Sequence, residues 1–221
     1  MSVSPPKSPP DPLAAIGPEH RIASQDQLAA LYGTPVARSI DKEIDHISAH
    51  YRAFIEAAPF VVIASVGPEG LDCSPRGDPP GFVRVLDDKT VLVPDRRGNN
   101  RIDTLHNLVR DPRISLLFLI PGVGETLRLN GRAEILVEPE LCASLAVQGK
   151  PARSVLAVTV ERVYYQCQKA LARSRLWDAD AQVPRSALPS AGEINEALSK
   201  QGFDGAAYDR GYADYMRKTL Y

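Results

Sequence analysis

Cysteine is scarce in this chain of 221 residues: Cys73, Cys142 and Cys167 are odd in number, far apart, and without a CxxC pair or a His/Cys metal spacing. That argues against a disulfide framework or structural zinc, and it fits a reducing cytoplasm. Net charge is also missing, since 26 basic and 27 acidic residues leave -1. No single-sign field recruits nucleic acid or an anionic membrane, so any anion must be bound locally. Aromatic residues make up only 6%, which leaves no stacking platform for single-stranded nucleic acid. The longest apolar run, residues 114–120, is strand length and far short of the roughly 20 residues that cross a bilayer. A GxGxxG after the first predicted strand and a GxxxxGK[ST] are both absent, which removes the Rossmann and P-loop routes to nucleotide binding. His46 and His50 stand at i, i+4 on a predicted helix with no third ligand beside them, so no metal site is expected.

Proline is plentiful, and six of them (Pro5, Pro6, Pro9, Pro10, Pro12 and Pro18) fall at the start of the chain. Residues 1–20 therefore read as an extended or disordered tail without the apolar core of a secretory signal. Residues 24–32 read as a short helix capped by Ser24 and stopped by Gly33. Ile40, Ile44, Ile47, Tyr51, Phe54 and Ile55 recur at helical spacing and predict one longer helix over 40–57, ended by Pro59. The pattern then changes to β-branched runs. Strands are expected over 60–66, 71–76, 82–86, 90–93, 113–120, 126–137 and 155–167, joined mostly by turns, with Gly131 marking a bulge. Single helices follow at 102–110, 138–147 and 169–176, and one or two small amphipathic helices close the chain. Strands with turn-sized connections point to an antiparallel barrel or closed sheet, mainly β with α, rather than to a doubly wound parallel sheet.

The densest chemistry lies in Asp95-Arg96-Arg97-Gly98-Asn99-Asn100-Arg101, between an apolar strand and an amphipathic helix. Guanidinium forks match phosphate oxygens, glycine admits close backbone approach, and a following helix N-terminus adds partial positive charge. A solvated turn would have a similar composition. Arg97 stands open between ligation and solvent, and Arg96 is expected to face water. Strand alternation sends Ser74 and Arg76 to one face, Cys73 and Pro75 to the other. Arg76 is either a second phosphate ligand or an ion-pair partner of Asp72, Asp78 or another carboxylate.

The order of these features, Ser74-Pro75-Arg76, then Gly98-Asn99-Asn100-Arg101, then Asp111-Pro112-Arg113-Ile114-Ser115-Leu116-Leu117-Phe118, then Arg128-Leu129-Asn130-Gly131-Arg132-Ala133, resembles the pyridoxamine 5'-phosphate oxidase-like flavoproteins over residues 55–177. The resemblance implies an α+β fold built on a six-stranded antiparallel split β-barrel with flanking helices. It implies FMN as cofactor and a homodimer with FMN near the subunit interface. The implied division is a tail at 1–20, N-terminal helices packing on the barrel at 21–58, the FMN-binding domain at 59–177 and a helical extension at 178–221. Carried over by position, Asn99, Asn100 and Arg101, with Arg97 nearby, grip the phosphate, and Ser74, Pro75 and Arg76 lie against flavin and phosphate. Thr126 contacts the ring. Arg132 approaches phosphate or serves as a cross-strand ion-pair partner. Trp177, in a cluster with Lys169, Arg173 and Arg175, covers the flavin edge or packs in the core or dimer interface.

The implied activity is an FMN-dependent oxidoreductase acting on a small molecule, with no side chain marked as general acid or base. The alternative is a flavin- or haem-binding module of the same fold without turnover. Oxidases that make pyridoxal phosphate end in an Arg-Leu-His-Asp-Arg type motif. Here Arg175-Leu176 is followed by Trp177-Asp178, which argues against that reaction.

Overall fold

The computed structural model describes residues 11–221, so residues 1–10 of the expected tail lie outside the described residues. Compactness divides the chain into residues 1–41 and 42–221. In the first unit, a short 3-10 turn at Pro18–His20 precedes α1 (Gln25–Tyr32) and α2 (Ala37–Asp41). Ser24 caps α1 as expected. Its hydroxyl accepts the Gln27 N–H while the Gln27 side chain accepts from the Ser24 N–H, a reciprocal capping box.

The single helix expected over 40–57 is instead broken. Residues 42–48 are not helical, and α3 starts only at Ala49 (Ala49–Ala57), capped by Ser48. Ile44 exchanges two backbone hydrogen bonds with Val163, and the Ile47 N–H donates to the Asp88 carbonyl at 2.7 Å. Sheet contacts thus satisfy the backbone where an internal helix ladder was expected. His46 accordingly precedes the cap of α3, and the two histidines do not share a helix.

The sheet holds β1 (Phe60–Gly67), β2 (Gly70–Gly77), β3 (Arg84–Val85), β4 (Thr90–Asp95), β5 (Arg113–Leu119), β6 (Thr126–Leu136) and β7 (Ser154–Gln166). Every neighbouring pair is antiparallel in the order β2-β1-β5-β6-β7-β4-β3, and the sheet does not close. Six substantial strands and the two-residue β3 make seven, matching the seven segments marked by the sequence pattern and one more than the six-stranded barrel implied by the resemblance. The expected strand over 82–86 shrinks because only Arg84 and Val85 find partners on β4. Alternation packs Val61 and Ile63 of β1, Ile114, Leu116 and Phe118 of β5, and Leu127 and Leu129 of β6 into one core with Tyr51 and Ile55 of α3. The bulge falls where Gly131 foretold it, because the pairing skips from Asn130↔Arg162 to Gly131↔Val160. A Cβ on Gly131 would stand 2.0 Å from the Thr159 carbonyl oxygen, so only glycine fits.

Helices α4 (Asp103–Arg110), α5 (Pro139–Ser144) and α6 (Lys169–Ser174) interrupt or follow the sheet. At the end of the chain, α7 (Ala191–Leu198) and α8 (Gly205–Thr219) touch through glycine: a Cβ on Gly192 would lie 2.2 Å from the Gly205 carbonyl oxygen. Asp209 of α8 accepts from the Gly192 N–H at 2.9 Å. Leu220 and Tyr221, which follow α8, reach the cavity described next. No helix among the described residues is long and apolar enough to cross a membrane.

Candidate functional site

Three strand ends meet at one place. Strand β2 is an edge strand, so Pro75 breaks no ladder, and its alternation half-buries Ser74 and Arg76 while Cys73 and Pro75 face out. Strand β4 pairs with β7 to Asp95↔Ser154 but with β3 only at Val91 and Leu92, so Pro94, which has no N–H, sits on a free edge. From there the chain leaves the sheet through residues 96–102, and α4 begins at Asp103, one residue later than expected. Asn100 and Ile102 have positive φ, 61° and 48°. For a β-branched residue such as Ile102 that conformation costs on the order of 1–3 kcal/mol and is found where the surroundings enforce it.

Between these elements lies a cavity of about 580 Å³. Arg76, Arg96, Arg97, Arg101 and Arg153 line it together with Asp78, Asp95 and Asp103, an excess of two positive charges. Three of the arginines are paired. Arg96 Nε donates to Asp78 Oδ2 at 2.7 Å, Arg101 Nη2 lies 2.8 Å from Asp103, and Arg76 Nη2 is 3.7 Å from Asp95. Arg153 Nη1 donates to Asn100 Oδ1 at 3.2 Å, and Arg97 has no hydrogen bond or ion pair among the described residues. The Asp78 side chain is only 1% exposed, and its second oxygen accepts the Tyr221 hydroxyl at 2.6 Å. That bond holds the Tyr221 phenol above its usual pKa. Arg96 Nη1 is buried without an acceptor, a donor left over for something that enters the cavity. Burial pushes the Asp95 carboxyl above its usual value, against the pull of Arg76 and then of Arg153 and Arg96.

Of the residues nominated from sequence, Ser74, Pro75, Arg76, Arg97, Asn99, Asn100 and Arg101 line this cavity, whereas Thr126, Arg132 and Trp177 lie outside it. Thr126 is buried against Gln166, Arg132 is exposed on β6, and the Trp177 indole donates to the Val123 carbonyl at 2.8 Å. The expectation that Arg96 faces water is overturned. Its side chain is 15% exposed because the buried Asp78 draws it inward, and Arg97 is the one left exposed. Sequence reasoning passed over Arg153 and Tyr221, and it named Asp78 only as a possible partner of Arg76, which instead lies beside Asp95. Arg153 could have been found, since pairing β7 with β4 sets Ser154 opposite Asp95. Nothing local in the sequence marks Tyr221.

Comparison with solved structures finds HupZ of Group A Streptococcus (24% identity, covering 55% of this chain and 94% of that one, TM-score 0.45). It also finds a protein of Clostridium acetobutylicum related to general stress protein 26 (18%, 53% and 86%, 0.41) and an F420 reductase (14%, 54% and 98%, 0.40). No curated protein matches the chain. The pyridoxamine 5'-phosphate oxidase family matches residues 47–167, more than half of the chain, taking in the sheet and the cavity's arginine loop. With that match on a seven-stranded antiparallel α+β fold, the chain belongs to the pyridoxamine 5'-phosphate oxidase family.

Proposed function

We propose that this chain is an FMN-dependent oxidoreductase that acts on a small molecule. The observation that carries the reading is the charge of the cavity: five guanidinium groups against three carboxylates, an excess of two. A phosphate monoester carries about -1.5 to -2 at neutral pH and needs such a surplus. The unpartnered Arg96 Nη1 and the unpaired Arg97 fit the same group. In this reading Arg76, Arg97 and Arg101 supply charge to the phosphate, and Asn99 and Asn100 supply neutral donors. Ser74 and Pro75 wall the flavin, with Phe82 and Leu105 as apolar neighbours. FMN held there would supply a hydride acceptor for the substrate. The protein's own work is to fix the phosphate and shape an opening for the substrate. In a homodimer with FMN near the subunit interface, ring contacts by Thr126 and Trp177 come from the second copy. Residues 59–177 form the flavin-binding domain, and the three free cysteines suit a reducing cytoplasm.

The purified protein is expected to be yellow, to release FMN on denaturation, and to bleach when a reduced nicotinamide is added. A bound flavin that no donor reduces would indicate a binding module without turnover. Colourless protein without affinity for FMN would refute the proposal.

A further inference from the structure

The sheet does not close, and the large cavity lies in its seam, between Ser74 and Arg76 of β2 at one end of the strand order and Pro94 and Asp95 of β4 near the other. Two ion pairs cross the seam, Arg76 with Asp95 at 3.7 Å and Arg96 with Asp78 at 2.7 Å. The residues after α8 fasten over the same place. The helix stops at Thr219, and Leu220 and Tyr221 run on into the wall of the cavity. On the β2 side, the Tyr221 phenol donates to Asp78 Oδ1 at 2.6 Å. On the other side, Lys150, just ahead of the β7 strand that pairs with β4, donates through Nζ to the Tyr221 main-chain oxygen at 2.6 Å. Little else holds this segment. Tyr221 borders a second hollow of about 160 Å³ as well as the large cavity, and Leu220 is 55% exposed.

We propose that Leu220 and Tyr221 form a clasp across the seam, and that release of Tyr221 from Asp78 and Lys150 admits and frees the ligand of the large cavity. Asp78 keeps its bond to Arg96 through a different oxygen, so the clasp opens without breaking the buried ion pair. Because it closes over the empty and the filled cavity alike, it governs rates of exchange and leaves affinity nearly unchanged. The inference rests on the proposed FMN site only in naming FMN as the ligand that passes.

The test mixes the full chain with FMN in a stopped-flow instrument and follows flavin fluorescence in the parent, Tyr221→Phe and Lys150→Ala. A hydrogen bond with one charged partner shifts an open and closed equilibrium about tenfold or more, so both variants should bind and release FMN about tenfold faster. The ratio of the two rates should stay within about threefold of the parent's. Faster release alone would make Tyr221 a contact of the ligand, and tighter binding with unchanged release would make it a competitor for the site. Either result, or unchanged rates, would overturn the clasp. A second readout needs no flavin: tryptic cleavage after Arg217 or Lys218 in the ligand-free protein, followed by mass spectrometry, should quicken several-fold in both variants. Equal cleavage rates would also overturn the clasp. If none of the three proteins binds FMN, the flavin reading fails, and the cleavage rates still decide whether Tyr221 is clasped.

Discussion

Replacing Asp78 by alanine removes the acceptor of both Arg96 Nε and the Tyr221 hydroxyl. The carboxylate is 1% exposed and the Arg96 side chain 15%, so water cannot readily take its place. Breaking a buried pair on one side costs about 3–5 kcal/mol, because the remaining charge stays uncompensated. Arg96 borders the cavity and can hydrate in part, which puts the expectation at the lower end, near about 3 kcal/mol. For a domain of this size each kcal/mol is worth roughly 2–4 °C, so the unfolding midpoint should fall by roughly 6–12 °C. Thermal unfolding of Asp78→Ala, Arg96→Met and the double variant forms the assay. The double variant should recover part of the loss, since it no longer strands a guanidinium. A fall of less than about 2 °C in Asp78→Ala, or a double variant as unstable as the two single losses added, would refute the reasoning.

Gly131→Ala puts a Cβ 2.0 Å from the Thr159 carbonyl oxygen, a backbone atom of the paired strand, and should destabilise by about 1–3 kcal/mol or more; an unchanged unfolding midpoint contradicts this. Ser65→Ala deprives the buried Asn107 amide of its acceptor at 3.0 Å and should cost about 1–3 kcal/mol in denaturant titration, whereas a neutral result would mean that water reaches the amide. Asp95 has a folded-state pKa above its unfolded one, so the folded chain holds the extra proton and its stability falls as pH rises through that window. Asp95→Asn removes this term, and its stability relative to the parent should therefore rise with pH from about 4 upward. A parent that gains on the variant over that range would contradict the direction.

The β-branched apolar run at 60–66 and the apolar run at 113–120 marked strands whose inward faces, such as Ile63 and Leu116, form the core, and Gly131 marked the bulge. Helical spacing misled at 40–57, because Ile44 and Ile47 satisfy the same spacing while serving an extended segment paired to β7 and the Asp88 carbonyl. The arginine loop was legible from its composition. Its internal division was not, since whether Arg96 or Arg97 turns inward depends on Asp78, brought in by a loop 18 residues earlier. Tyr221 meets Asp78 across 143 residues, a pairing no local pattern carries. Thr126, Arg132 and Trp177 were nominated by resemblance alone, and they lie outside the cavity.

The central claim is that the loop from Arg97 to Arg101 holds the phosphate of FMN. Its most direct test compares the affinity of the purified chain for FMN and for riboflavin, which differs only in lacking that phosphate, in the parent and in Arg101→Ala. FMN is expected to bind at least about tenfold tighter than riboflavin, and Arg101→Ala is expected to lose most of that preference while leaving riboflavin affinity unchanged. Equal affinity for the two flavins, or an Arg101→Ala protein that keeps stoichiometric FMN, would contradict the claim.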